Sequence, residues 1–276
     1  MNHQDPPTTA APAPLPEAFY RELGPDRFAA TTATAGPWSP HTQHAGPPCA
    51  LLGRALHHHD PRPGLRIARV TVDLPRPVPV GELHVSVRTL RSGRRAELLE
   101  GEITSDGRTV LLARAWRLAT SPPDTPVLRP APPPPPPPLP GAQRPHTMAG
   151  AHLDGYIAAM EWRFQPGGGF DVMGPGTVWA RQRIPLIAGR EDTALTRALV
   201  LADSNWAVAF ELDHHKRFVI NTDVTLVLHR DPVGPWLCLR SDTAAGPDGS
   251  GLARGWLADT AGECGLVLQT LLVDER

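Results

Sequence analysis

A chain of 276 residues, 41% hydrophobic and 20% charged, is ordinary globular material with enough length to bury a sizeable core. Twenty-seven basic against 28 acidic residues leave a net charge of -1, which offers no basic footprint for nucleic acid. No run approaches the roughly 18 apolar residues of a membrane span, Met1–Pro16 lack the apolar centre of a secretory signal, and Cys49, Cys238 and Cys264 are too few and too scattered for a disulfide framework or a zinc site. A cytoplasmic protein with no metal and no cofactor is the expectation.

In chain order, residues 1–25 read as an N-terminal tail and residues 26–120 as a first domain. Within that domain Gly46, Pro47 and Pro48 precede the helix formers of Cys49–Leu56, and proline in a first helical turn marks a helix start. Leu51, Leu52, Ala55 and Leu56 leave the helix little polar face, as expected of one wrapped by a sheet. Strand candidates follow at Leu65–Leu74, Glu82–Arg91, Ala96–Ser105 and Thr109–Leu118, divided by turn signals, so the first domain reads as a helix followed by an antiparallel meander. Residues 121–147 contain seven consecutive prolines, Pro132–Pro138, and read as a spacer in extended polyproline form, because proline lacks the amide that would join a sheet.

Residues 148–276 repeat the plan. An additional hairpin is expected at Met160–Phe164 and Val178–Pro185, a helix at Thr193–Ala202 capped by Asp192 or Thr193, and strands at Phe218–His229, Trp236–Ser241, Gly251–Leu257 and Gly265–Val273. The repeat is visible in the residues themselves: VTVDLPRPVPVG over Val70–Gly81 returns as VTLVLHRDPVG over Val224–Gly234. A helix embraced by an antiparallel sheet, occurring twice, makes the expected class α+β and the arrangement a tandem hotdog.

Three polar residues of the second domain occupy places that suit apolar ones. Asp203 ends the run ALVLA, Asn221 follows the strand residues FVI, and Gln269 interrupts LVL before TLLV. A carboxylate and two amides held on separate core elements can converge on one polar site. The structural alternatives are a helix cap for Asp203 and a buried amide bridging backbone groups for Gln269. Asp223 is read as a structural partner of Arg230 or another basic residue. The triplet His57–His59 is a poor metal site because adjacent helical side chains diverge, and Cys49 reads as a small buried apolar residue. No serine sits in the Gly-x-Ser-x-Gly elbow that supports a covalent mechanism.

GPWSPHTQHAGPP (Gly36–Pro48), LPRPVPVG (Leu74–Gly81), LADSN (Leu201–Asn205), NTDVTLVLHR (Asn221–Arg230) and LQTLLV (Leu268–Val273) together resemble the double-hotdog acyl-CoA thioesterases of the thioesterase II type, especially their actinobacterial thioesterase-like branch. The resemblance implies a lipid-metabolic hydrolase that cleaves an acyl thioester by direct attack of water, with acyl-CoA or an acyl carrier protein as partner and homo-oligomerisation left open. Carried over by motif, Asp203 and Gln269 match the family's aspartate and glutamine, while Asn221 stands where better-known members have threonine or serine. Thr222 would offer a hydroxyl, but strand alternation sends it to the opposite face. His44 and Gly46, at the start of the first helix, are candidates for bordering the substrate channel. The first helix carries no acidic residue, and Arg114-Ala115 stand where the second domain has Gln269-Thr270, which implies one active site per chain. The competing readings are a catalytically silent acyl-CoA or carrier-protein binding module and a hotdog hydratase or dehydratase. The latter calls for an aspartate–histidine pair at the helix start that this sequence lacks.

Overall fold

The computed structural model describes residues 14–122, 125–126, 135–143, 147–148, 150–210 and 217–275. Residues 1–13 of the expected tail and Pro132–Pro134 of the proline run lie outside the described residues. The first half contains β1 (Tyr20–Gly24), β2 (Arg27–Ala30), β3 (Ala35–Gly36), β4 (Ser39–Gln43), α1 (Gly46–His58), β5 (Leu65–Asp73), β6 (Glu82–Arg91), β7 (Ala96–Ser105) and β8 (Arg108–Ala119). The second contains α2 (Tyr156–Ala159), β9 (Met160–Phe164), β10 (Gly176–Gln182), α3 (Ala194–Ala202), α4 (Asn205–Val208), β11 (Arg217–Asn221), β12 (Asp223–Leu228), β13 (Leu237–Ala245), β14 (Ser250–Asp259) and β15 (Gly262–Glu275). Among the described residues, no helix is long and apolar enough to cross a membrane.

The tail is shorter than expected: Phe19 and Tyr20 are fully buried, and β1 pairs with β2. This hairpin is the counterpart of β9–β10, so the front hairpin belongs to both halves and is no addition to the second. The sheet runs β1-β2-β6-β7-β8-β5-β12-β15-β14-β13-β10-β9, an order that reads alike from either end. It also revises the simple meander. The strand that follows α1 leaves its sequence neighbour β6 and pairs instead with β8, which puts β5 at the centre of the sheet. There β5 meets β12 antiparallel, Thr71 opposite Thr225 with their hydroxyls 3.2 Å apart, and the two halves become one sheet.

Inside the curve of that sheet α1 and α3 run antiparallel, since the start of α1 lies beside the end of α3 and Arg54 near the end of α1 donates to Glu191 O just ahead of α3 (3.1 Å). Two glycines permit the close approach. A Cβ on Gly46 would stand 2.2 Å from Val200 O, and one on Gly53 2.2 Å from a methyl of Leu199. The apolar side chains of α1, among them Cys49, Leu51, Leu52 and Leu56, are buried, and each leucine so covered contributes about 1.5–3 kcal/mol of transfer free energy. Helix α3 begins where expected, with the Thr193 hydroxyl accepting the Thr196 amide at 3.1 Å.

The strand expected over Phe218–His229 is interrupted. Asn221 lies opposite Leu271 and Thr225 opposite Leu268, so one extra residue is accommodated between β11 and β12, as in a β-bulge. Asp223 accepts the Thr270 amide at 2.9 Å beside this break, and that is its structural task. It does not pair with Arg230. Arg230 instead forms a two-pronged bond to the buried Asp259 (2.5 and 2.7 Å) and donates to Gly262 O, which fastens the β14–β15 turn.

Candidate active site

Asp203 is the C-cap of α3, and the chain turns at once into α4. The residue is only 5% exposed, and four donors surround its side chain. Oδ2 accepts the Ala45 amide at 2.9 Å, the first free N–H at the start of α1; Oδ1 accepts the amide of Asn221 at 2.8 Å and that of Gln269 at 3.2 Å. The fourth is His44, whose Nδ1 lies 3.1 Å from Oδ2. An unpaired amide at a helix start attracts negative charge, and these bonds offset the carboxylate's loss of water.

Gln269 points inward on β15 between the buried Val267 and Leu271. Its amide is fully used: Nε2 also donates to the Asp203 carbonyl at 3.2 Å, and Oε1 accepts the Trp206 amide at 3.0 Å. It therefore ties the end of α3 to the start of α4, which fixes the direction of the Asp203 side chain. Asn221, the last residue of β11, lies just before the strand break, and its amide is free to reach across to the helix end. The Thr222 hydroxyl turns to Asp223 and the Thr270 carbonyl, away from Asp203.

His44 Nδ1 is also 3.1 Å from the Gly46 amide, and one ring nitrogen cannot serve both partners at once. Facing a carboxylate oxygen, the tautomer with hydrogen on Nδ1 is the favourable one. Burial lowers the pKa of His44 from the ordinary 6.5, against a smaller opposing pull from Asp203, so the ring is neutral at neutral pH. Its face lies on Tyr156, ring centroids 3.7 Å apart. The Tyr156 hydroxyl is held by Val200 O and Ser204 Oγ, both at 2.8 Å, and burial pushes its pKa up. His57 and His58 are lowered in the same direction, again first by burial. An acid-induced loss of stability follows: the unfolded chain takes up protons below about pH 6.5 that the folded chain refuses, so the thermal midpoint is expected to fall as pH drops below that value. His44→Gln should flatten part of this slope in a thermal-unfolding series from pH 7 to pH 5.

Asp203, Asn221 and His44 lie in the wall of a cavity of about 800 Å³. Both halves build it, the first through Gly36–Trp38, Thr42–Ala45 and Leu74–Val78, the second through Trp206, Ala207 and the whole of β11. Ile157, Phe170 and Met148 add an apolar floor, and Trp38 stacks on Trp206 with centroids 6.1 Å apart. Gly46 does not line the cavity; its bare α-carbon faces Val200 O, so its role is packing. Among the described residues, no three histidine, cysteine or carboxylate side chains gather as a metal site. Cys49 is fully buried, and burial pushes its thiol up.

The sequence pattern did not single out Ala45, Tyr156 or Trp206. A helix-start amide is a general signal for the first, but only the fold shows which carboxylate it meets. The first half also differs from the expected correspondence by one residue. Thr71 opposes Arg114 and Thr225 opposes Leu268, so the counterpart of Gln269 is the buried Ala115, not Arg114. At the end of α1, where α3 has Asp203, Arg117 donates to the carbonyls of Leu56, His59 and Asp60 and pairs with Glu97 at 2.8 Å, both side chains 3% exposed. That end is closed by a saturated ion pair.

Residues 34–118 match the acyl-CoA thioesterase N-terminal domain family and residues 129–273 the acyl-CoA thioesterase C-terminal domain family. Among solved structures, the chain is similar to a Thermobifida fusca protein provisionally assigned as a thioesterase II (18% identity, 94% of this chain and 96% of that one, TM-score 0.68). It is similar as well to a hot dog fold protein of unknown function from Alicyclobacillus acidocaldarius (16%, 92% and 95%, TM-score 0.66) and to acyl-CoA thioesterase II TesB2 from Mycobacterium marinum (17%, 93% and 95%, TM-score 0.64). At these identities the likeness establishes the hotdog fold. No curated protein matches the sequence.

Proposed function

Because the chain belongs to the acyl-CoA thioesterase family and is a thioester hydrolase, we propose that Asp203 aims a water molecule at a thioester carbonyl bound in the cavity between the halves and accepts its proton. Asn221 and Gln269 hold Oδ1 of the carboxylate at the cavity wall, and neither amide competes for the proton. The observation that carries this reading is their convergence on Oδ1 of Asp203 at 2.8 and 3.2 Å on a cavity wall. His44 and Ala45, just ahead of α1, border the bound thioester. Each half is read as one hotdog, residues 26–120 extended back to Tyr20, and residues 148–276 carry the single site, since Ala115 and the Arg117–Glu97 pair leave the first half no equivalent. The substrate is an acyl-CoA or the acyl form of a carrier protein. Three unpaired, buried cysteines fit a reducing cytoplasm.

Asn221 offers the direct test. A hydrogen bond to a charged group is worth roughly 1.5–3 kcal/mol, so Asn221→Ala is expected to lower kcat by about 10- to 100-fold and to change KM far less, because water placement acts mainly on the transition state. Asn221→Thr, which restores a hydroxyl, should keep most of the parent rate. A thiol-release assay over a series of acyl-CoA chain lengths measures both, and full turnover in Asn221→Ala would remove this residue from the site.

A further inference from the structure

The end of the proline-rich connection is held against the second half. Trp179 on β10 donates its indole N–H to Pro137 O at 2.9 Å, Gln165 donates to Pro138 O at 3.0 Å, and Arg163 on β9 donates to Pro140 O at 2.9 Å. Between these bonds Leu139 packs against the buried cluster of Trp179, Cys238 and Ala258, as Trp236 does. The ring of Trp236 lies under the guanidinium groups of Arg163 and Arg181, at 4.4 and 4.8 Å, and Glu161 holds both arginines in place. A little further on, the Gln143 side chain accepts the amide of Phe164 (2.9 Å) and donates to its carbonyl (2.6 Å), pairing with β9 as a strand residue would. Strand β9 ends the sheet, so the connection covers an edge left open by the fold.

This arrangement answers the particular chemistry of a proline run. Prolines have no amide to donate and form no internal hydrogen bonds, so every carbonyl is left for an outside donor. A flat indole supplies apolar surface together with one such donor, and aromatic grooves of this kind recognise proline-rich segments whose backbone is already extended. None of Trp179, Trp236, Arg163 or Gln165 lines the thioester cavity. We propose that the Trp179–Trp236 face is a polyproline-recognition site whose resident ligand is Pro137–Pro140, and that a proline-rich segment of another protein binds there when the resident is displaced.

The test uses the full chain with Pro135–Pro140 exchanged for a glycine–serine segment of equal length, and a peptide of the sequence Pro135–Gln143 as probe. Saturable quenching of tryptophan fluorescence and heat of binding are expected with the exchanged chain. The parent should bind the same peptide at least tenfold more weakly, because its tethered segment competes at an effective concentration on the order of millimolar. Adding Trp179→Ala to the exchanged chain should abolish binding, and a glycine–serine peptide of equal length should not bind. Thioester hydrolysis serves as the control for folding. If the exchanged chain does not fold, Leu139→Asp in the parent loosens the resident segment by one substitution and is compared in the same way. A folded, hydrolytically active variant that binds no peptide overturns the proposal, as does binding of equal strength to the parent.

Discussion

Asp203→Asn is expected to slow thioester hydrolysis by roughly a hundred- to ten-thousand-fold, the range for loss of a general base, with little change in the affinity for a non-hydrolysable acyl-CoA analogue. The substitution keeps the shape of the side chain and leaves the cavity walls in place. Its effect on stability is a separate expectation. The carboxylate accepts from Ala45, Asn221 and Gln269 and lies beside His44, whereas an asparagine presents an N–H₂ group to at least one of these donors. A buried donor without a partner costs about 1–3 kcal/mol, so the thermal midpoint should also fall by several degrees. Hydrolysis equal to the parent's would end the assignment of Asp203 as the base, whatever happened to stability.

Gln269→Ala is the second large effect, and it joins catalysis to folding. The amide is fully buried and bonds to the Trp206 amide, the Asp203 carbonyl and the Asp203 carboxylate. Removing it leaves the helix junction without its tie and lets the carboxylate swing, so kcat should drop by at least about tenfold and stability by about 1–3 kcal/mol. The reciprocal change in the first half, Ala115→Gln, puts an amide into a buried place with no partner prepared for it. It should destabilise the chain while leaving kcat of the folded fraction unchanged. Denaturation curves and active-site-normalised turnover separate the two outcomes, and a loss of kcat in Ala115→Gln would show that the halves are not divided as proposed.

Much of this site was legible in the chain because a charged or amide residue inside an apolar run has few reasons to be there. Asp203 and Gln269 stood out on that ground, and the structure brings them together with Asn221. The strand break at Thr222 was not legible, since nothing in FVINTDVTL distinguishes one long strand from two offset by a residue. The one-residue difference between Arg114 and Ala115 as counterpart of Gln269 is of the same kind: strand register is a pairing property, and a single chain does not display its partner. Arg230 illustrates the limit again. Its true partner, Asp259, is 29 positions away and reached only across the β14–β15 turn, whereas the nearby Asp223 was the natural guess. The bonds to the carbonyls of Pro137, Pro138 and Pro140 were not legible for a different reason, because composition reports what a segment lacks and is silent on the side chains that meet it.

The bond between the Ala45 amide and Asp203 spans 158 positions of sequence, and that between Asp203 and Gln269 spans a further 66. Contacts of such separation form late, after the loop-closure entropy of the intervening chain has been overcome. With the site proposed above, the enzyme stays catalytically incomplete on a ribosome until β15, ending at Glu275, has emerged and paired. Hydrolysis is thus a clock for assembly. In a refolding experiment its return should trail the recovery of strand signal in the first half, and the lag would time the closure of the sheet at Thr71 and Thr225.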